Sequence, residues 1–362
     1  MTMAIDGFRK SSIIRCYSKC MKILGIETSC DETAVAIVED GRKVISNNIV
    51  SQIELHKEFG GVKPSIAKLA HEEVIDNLID KTLIDAKLSL KEIDAIAVSI
   101  GPGLVISLLV GFKTAKALAR KFNKKLIGVN HLFGHICSNY LESDLEPPFI
   151  CLLASGGHTQ IIEVKTYTEY EVLGTTLDDA CGEAFDKIGR LLGLPYPGGP
   201  NLEILAKDGT PDAFKLPEAK VKPYDFSFSG LKTAVLRLVQ KLPENYDKSN
   251  LAASFQENIT NTLVKKIILA AKDTNSKKIV IAGGVTTNKT LRNKIVRACH
   301  GKPLQIFMPD LKYCTDNAAM IASGGYFLKD IYQDIDTLDV FARDPSSTKL
   351  RGLPRQASPA LN

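Results

Sequence analysis

Lys22-Ile23-Leu24-Gly25-Ile26-Glu27-Thr28-Ser29-Cys30-Asp31-Glu32-Thr33-Ala34-Val35-Ala36-Ile37-Val38 is an apolar strand, a polar turn and a second apolar strand, and the same plan begins again at Phe149. There, 149–154 is an apolar strand, Ser155-Gly156-Gly157 a tight polar turn and 158–164 a returning strand. After the first hairpin, Asp40-Gly41 marks another before a strand over 44–50. A helix over 71–86, a buried strand over 95–100, an apolar helix over 104–122 and a strand over 125–129 complete that unit. After the second hairpin come a strand near 170–173, helices over 177–192, 229–242 and 251–273, a buried strand over 278–282 and a helix over 287–299. Two successive hairpin-led α/β units predict a duplicated architecture, with two related lobes facing one another across a cleft.

The 362 residues suffice for two lobes with a core each. No apolar run reaches the roughly 18 residues needed to cross a bilayer, and the N-terminus lacks the apolar segment of a secretory signal. The formal net charge of +5 sits at the chain ends. Residues 1–20 carry Arg9, Lys10, Arg15 and Lys19 against Asp6, and 346–362 carry Lys349, Arg351 and Arg355, so each end holds +3 and the body −1. Overall basicity is therefore no sign of a nucleic-acid footprint over the whole surface. The cluster Arg120-Lys121 with Lys124-Lys125 reads as a solvated helix end, with contact to phosphates as the alternative. Eight scattered cysteines without a C-x-x-C pair predict reduced thiols in a cytosol-like compartment. The basic, serine-containing extension 1–20 fits an organelle presequence, an upstream start before Met21 or a cloning remnant equally. The first would place the protein in a mitochondrion or plastid, the second in the cytoplasm. Residues 342–362, rich in Ser, Pro, Arg and Ala, read as a disordered tail.

Asn130-His131-Leu132-Phe133-Gly134-His135 puts two imidazoles four residues apart. On a helix over 131–141 they share one face, where neutral ring nitrogens can hold a divalent metal, and Asp316 in Cys314-Thr315-Asp316-Asn317 is a candidate third ligand. Two His and one Asp form the ligand set of an open iron(II)-type or zinc-type position. Spaced histidines are as readily helix-surface or core residues, so spacing alone leaves both readings open. A zincin peptidase needs Glu directly after the first His; Leu132 stands there, which makes a metallopeptidase the poorer reading.

Among the turns, Ser155-Gly156-Gly157 offers backbone N–H groups to an approaching phosphate, although most such tripeptides are turns only. Asp31 and Glu32 would repel a bare phosphate, and make sense beside a metal, as a polarising base, or as ordinary solvated acids. Asp186, in Gly182-Glu183-Ala184-Phe185-Asp186-Lys187, could accept hydrogen bonds from a ribose or form a helix-surface ion pair. Tyr196-Pro197-Gly198-Gly199-Pro200 is a rigid turn with Pro200 at an expected first helical position. Gly283-Gly284-Val285-Thr286-Thr287-Asn288 ends a buried strand and opens a helix, where α/β folds place ligands, with Asn288 able to bond a nucleotide.

These motifs, taken together with Gly25 to Thr33, Ser155-Gly156-Gly157-His158-Thr159, Asp225 to Thr233 and Ala282 to Val285, resemble the TsaD family from about Met21 to about Phe341, closest to its bacterial-type members. The family comprises tRNA adenosine threonylcarbamoyltransferases, formerly called glycoproteases. The resemblance implies an actin-like, Hsp70-like and sugar-kinase-like ATPase fold with a metal and a nucleotide between two lobes, lobe I over 21–130 plus 316–341 and lobe II over 131–315. It implies transfer of threonylcarbamoyl from threonylcarbamoyl-adenylate to N6 of adenosine 37 in tRNAs reading codons that begin with A. By motif, His131, His135 and Asp316 would hold the metal, Fe2+ or Zn2+. Leu153, Ala154, Ser155, Gly156, Gly157, Asp186, Gly199 and Asn288 would contact the adenylate or ATP, and Asp31 and Glu32 would lie near the reacting group. Implied partners are tRNA, an adenylate-making enzyme, a TsaB-like paralogue and a TsaE-like ATPase, or a second copy of the chain in an organelle.

Departures from the family pattern cluster in the first half. The usual H-M-E-G-H carries Leu132 and Phe133; G-G-V-V-P-E followed by A-S-R becomes Gly60-Gly61-Val62-Lys63-Pro64-Ser65, then Ala67-Lys68-Leu69 and His71; and a usual glycine is Ile106. These changes bear on contacts around the metal helix or a partner surface. Rival readings are a phosphoryl-transferring member of the same superfamily and a nucleotide-binding, non-catalytic scaffold; the retained metal and adenylate motifs argue against the latter.

Overall fold

The structure, a computed structural model, describes residues 20–343 and 350–351. The N-terminal extension through 19 and most of the tail lie outside those residues. The first apolar strand is β1 (Lys22–Glu27), followed by β2 (Glu32–Glu39) and β3 (Lys43–Ser51). A helical turn, α1 (Ile53–His56), precedes α2 (Pro64–Ala86), β4 (Ala95–Gly101), α3 (Val105–Phe122) and β5 (Lys125–Asn130). These strands form a sheet in the order β3-β2-β1-β4-β5, with β1 antiparallel to β2 and parallel to β4. Helix α4 (His131–Cys137) follows.

The second sheet repeats the plan. It contains β6 (Phe149–Ala154), β7 (Thr159–Val164) and β8 (Glu169–Thr175), and later β9 (Lys278–Ala282) and β10 (Gln305–Phe307). Their order is β10-β9-β6-β7-β8, with β6 antiparallel to β7 and parallel to β9. Between β8 and β9 lie α5 (Cys181–Leu191), α6 (Gly198–Ala206), α7 (Ser229–Val239) and α8 (Lys248–Asp273). Helices α9 (Lys289–Cys299) and α10 (Ala318–Phe327) flank β10. Within the stretch read as a tail, β11 (Leu350–Arg351) pairs antiparallel with β8. Three hairpin strands followed by two parallel strands thus occur twice.

Each sheet is apolar on both faces, the signature of strands covered by helices on either side. Ile96, Val98 and Ile100 pack beneath α2 and α3, whereas Ile150, Leu152 and Ile281 pack beneath α5 and α8. The opposite faces meet in a shared seam, where Ala97 and Val129 of the first sheet join Cys151, Leu153 and Val280 of the second around α4 and α10. Behind that seam Arg42, in the β2–β3 turn, donates to Ser143 O (2.6 Å), Leu145 O (2.9 Å) and Tyr167 Oη (3.1 Å). Among the described residues no helix is long and apolar enough to cross a membrane.

Several bounds differ from expectation. Helix α2 begins at Pro64 instead of His71, because proline's fixed φ and missing N–H suit a first helical position. Helix α6 begins at Gly198, two residues before Pro200, because Asp186 satisfies its first amides. Residues 177–180 are drawn off the start of α5: Leu177 N donates to Phe226 O, and Thr176 Oγ1 donates to Asp179 O.

Candidate metal and nucleotide site

Two capped helix starts bring the three candidate metal ligands together. Asn130 accepts from the N–H groups of Leu132 (2.9 Å) and Phe133 (3.2 Å), opening α4 at His131. Asn317 accepts from Met320 N (3.0 Å), opening α10 just after Asp316. Each cap is worth about 1 kcal/mol of helix stability. Two glycines then set the approach of the elements: a Cβ on Gly134 would come within 2.8 Å of Ile321 on α10, and one on Gly25 within 2.3 Å of the Ala318 carbonyl. Helix α10 is thereby laid on both α4 and β1.

As a result, donor atoms of His131, His135 and Asp316 lie within 4.8 Å of one another. His131 Nε2 is 3.6 Å and His135 Nε2 3.1 Å from Asp316 Oδ1. Burial alone would lower the His131 imidazole, but the Glu27 and Asp316 carboxylates outweigh it and raise it to about 9. Burial pushes Asp316 up, and the two imidazoles more than reverse this, holding it well below the ordinary carboxylate range. His135 is fully buried; its Nε2 faces Asp316, and its Nδ1 makes no hydrogen bond among the described residues. An unanswered buried nitrogen is costly. Two imidazoles and a carboxylate converging around it fit a borderline divalent metal such as iron or zinc.

Sequence reasoning missed Glu27, which it read as the first residue of the polar turn and which the structure places at the end of β1. This fully buried carboxylate accepts from Ser29 N at Oε1 (2.5 Å) and faces His131 Nδ1 at Oε2 (3.0 Å), fixing the tautomer that leaves Nε2 open toward Asp316. His158 was read only as the start of a strand. It lines the cleft beside the cluster, and burial with the two neighbouring imidazoles lowers it to about 4. Its place directly after a glycine turn was the available signal.

The cleft has two adjoining compartments. One of about 560 Å³ is lined by Asp31, His131, Ser155, Gly157, His158 and Asp316; one of about 310 Å³ is lined by Gly156, Gly182, Asp186, Tyr196, Gly199 and Asn288. Asp31 and Glu32 border both. Burial, then the Asp316 and Asp31 charges, raise the Glu32 carboxyl well above its ordinary value, so it holds its proton more tightly than a surface acid.

In the glycine turn, Ser155 N donates to His158 O (2.8 Å) and His158 N to Ser155 Oγ (3.1 Å). A Cβ on Gly156 or Gly157 would meet nothing within 4 Å, so the backbone there is open to a ligand. Among the described residues Asp186 makes no ion pair. Its Oδ1 accepts from Gly198 N (2.8 Å) and Gly199 N (3.2 Å), and burial raises its carboxyl. Asn288 accepts from Leu291 N (2.9 Å) and donates to Gln256 Oε1 (2.7 Å). Leu153 and Ala154 are buried in β6 and line neither compartment. Gly283, at φ +92°, packs against Ala154, where a Cβ would come within 2.5 Å of its carbonyl.

Of the departures from the family pattern, Phe133 is buried and stacks on Tyr170 (centroids 5.7 Å apart, planes 9°), so apolar packing replaces the usual carboxylate. Leu69 and Ile106 are exposed.

Comparison with solved structures supports the expected actin-like, sugar-kinase-like class. Component A of the Acidaminococcus fermentans (R)-2-hydroxyglutaryl-CoA dehydratase matches with a TM-score of 0.51 at 16% identity, over 84% of this chain and 98% of that one. Full-length HypF, solved in a phosphate- and nucleotide-bound form, matches with a TM-score of 0.59 at 14% identity, over 87% of this chain and 47% of that one. Sequence relatives are far nearer. A tRNA N6-adenosine threonylcarbamoyltransferase of Caldicellulosiruptor saccharolyticus is 50% identical over 85% of this chain and 93% of that protein. One of Gloeothece citriformis is 52% identical over 83% and 89%. The family model for TsaD, tRNA N6-adenosine threonylcarbamoyltransferase, matches residues 43–323. The chain therefore belongs to the TsaD family of tRNA N6-adenosine threonylcarbamoyltransferases.

Proposed function

We propose that this protein transfers the threonylcarbamoyl group from threonylcarbamoyl-AMP to N6 of adenosine 37 in tRNAs reading codons that begin with A. The observation that carries the reading is the convergence of His131, His135 and Asp316 opposite the open Gly156-Gly157 turn. His131, His135 and Asp316 would hold one divalent metal, Fe2+ ahead of Zn2+, which when bound supplies Lewis-acid stabilisation of charge on oxygen. Gly156 and Gly157 present backbone N–H groups to the adenylate phosphate, Asp186 and Gly199 border its nucleoside, and Asn288 holds the floor of that compartment. The adenylate is a mixed anhydride whose carbonyl is already activated, so orientation is the main demand on the protein. N6 attacks that carbonyl, the bond to the phosphate oxygen breaks, AMP leaves, and the N6 proton passes to the Asp31 carboxylate, with Glu32 beside it.

Lobe I is assigned to 21–130 plus 316–341, and lobe II to 131–315. For a chain acting in the cytoplasm, the partners are a TsaB-like paralogue and a TsaE-like ATPase; an organellar form would act as a homodimer. Leu132 in place of the zincin glutamate removes the general base of a metallopeptidase. Metal analysis of the purified protein, with mass-spectrometric detection of threonylcarbamoyladenosine in tRNA, tests the reading. Metal and adenylate binding without tRNA modification would instead support a scaffold.

A further inference from the structure

A single chain of buried hydrogen bonds joins the acidic turn to the 52–63 segment, which continues from the neighbouring strand β3. His71 Nε2 lies 3.1 Å from the Cys30 carbonyl, which only accepts, so Nε2 carries the proton. Nδ1 therefore accepts, from Thr33 Oγ1 (2.7 Å) and Gln52 Nε2 (3.2 Å). Gln52 Oε1 in turn accepts from His56 Nε2 (3.3 Å), and His56 Nδ1 accepts from Lys63 N (3.4 Å). The donor direction never reverses, and His56, His71 and Thr33 are fully buried with Gln52 at 3% exposure. Burial keeps the His71 imidazole below its ordinary value, consistent with the neutral tautomer the chain requires. A parallel backbone bond runs from Gln52 N to Asp31 O (2.9 Å). At the far end, Ile53 borders the nucleotide compartment, and the Gly60 carbonyl accepts from Arg190 of α5.

We propose that His71 is a positioning residue of the transferase site: it fixes the turn that carries Asp31 and Glu32, and couples that turn to the 52–63 segment over the nucleotide compartment. The proposal rests on the placement of these two acids at the reacting group. It requires no contact between His71 and any substrate.

The test uses the full-length, metal-loaded protein with its partner proteins, comparing His71→Ala and His71→Gln with the parent. The expected result for His71→Ala is a kcat lowered about 100-fold, the effect of moving a reacting group by about 1 Å, with KM for threonylcarbamoyl-AMP and metal affinity unchanged. Hydrogen–deuterium exchange of a peptide spanning 28–34 should accelerate in the same variant. His71→Gln, whose amide can donate to Cys30 and accept from Thr33, should restore both readouts. Unchanged kcat in His71→Ala, or slower turnover without faster exchange at 28–34, overturns the proposal. Should His71→Ala fail to fold, Gln52→Leu removes the link to His56 while sparing the His71 bonds to Thr33 and Cys30. About tenfold lower kcat is then expected, and unchanged kcat is the refuting result. A double variant, Asp31→Asn with Glu32→Gln, separates the two layers. Full kcat there overturns the placement of the acids and the proposal with it, whereas a slow double variant beside a fully active His71→Ala overturns the proposal alone.

Discussion

Replacing Glu27 by glutamine tests whether a buried carboxylate tunes the metal site from behind. Both of its oxygens are engaged, one by Ser29 N and the other by His131 Nδ1. Glutamine supplies one acceptor and one NH2 group, so either a buried donor faces another donor or His131 moves its proton to Nε2, the nitrogen directed toward Asp316. The charge that holds the imidazole basic is lost as well. Removal of such a carboxylate behind a metal-bound histidine costs about 10- to 100-fold in metal affinity, or about 1.4–2.8 kcal/mol. A donor left unanswered should lower folding stability by about 1–3 kcal/mol, and a tautomer shift of His131 should instead spare stability while weakening metal binding. Affinity is read by competition of Fe2+ or Zn2+ against a chromophoric chelator, and stability by urea denaturation of the metal-free protein. His131→Ala, which removes the ligand itself, should lose more affinity than Glu27→Gln. A Glu27→Gln protein that binds metal as tightly as the parent would refute the reasoning.

Phe133→Glu, which installs the family's usual residue, should destabilise this chain by at least about 3 kcal/mol, because it deletes a buried ring stacked on Tyr170 and buries a carboxylate instead; urea denaturation at pH 7 measures this. Asp178 accepts at the start of α7 from Phe228 N and Ser229 N and from the Ser227 and Ser229 hydroxyls. Burial pushes its carboxyl up, but those donors outweigh it and hold it below 3.8. Asp178→Asn should therefore cost about 1 kcal/mol near neutrality, the exposed carboxylate limiting the effect. That difference is present above pH 3.8 and disappears as the pH falls through the lower folded value, visible in melting curves across that range. Glu32 has the opposite sign: its folded value lies above 4.5, so stability is lost as the pH rises past 4.5. Glu32→Gln should melt higher than the parent at pH 7 in chelator and match it below pH 4.5, while losing transferase activity.

Both hairpins and the parallel strands β4, β5, β6 and β9 were legible because their apolar runs are continuous, and β4, β6 and β9 run into glycine-containing turns. Helix α10 was not. Its sequence carries Gly324 and Gly325, poor helix formers by propensity, and glycine is needed at 325 because a side chain there would come within 2.5 Å of Ala97. Strand β10 was missed because three residues on a sheet edge leave too little periodicity. Within the site, the two histidines and Asp316 could be nominated from residue type and order. Glu27 and His71 could not, since each acts through a partner distant in sequence, His131 in one case and Cys30 in the other. Asn288 had the right address, but its amide oxygen is committed to capping α9, a use of asparagine that residue type alone does not distinguish from ligand contact.

The Arg42 contacts constrain how molecules enter and leave. With three oxygen acceptors drawn from the opposite half, this guanidinium rivets the rear of the two halves together. A jaw-like swing about the seam would strip it of all three at once. The front is fastened by the exposed Arg190 reaching the Gly60 carbonyl. Lifting the tip at Gly60 would break that one exposed contact and leave all three of Arg42's intact.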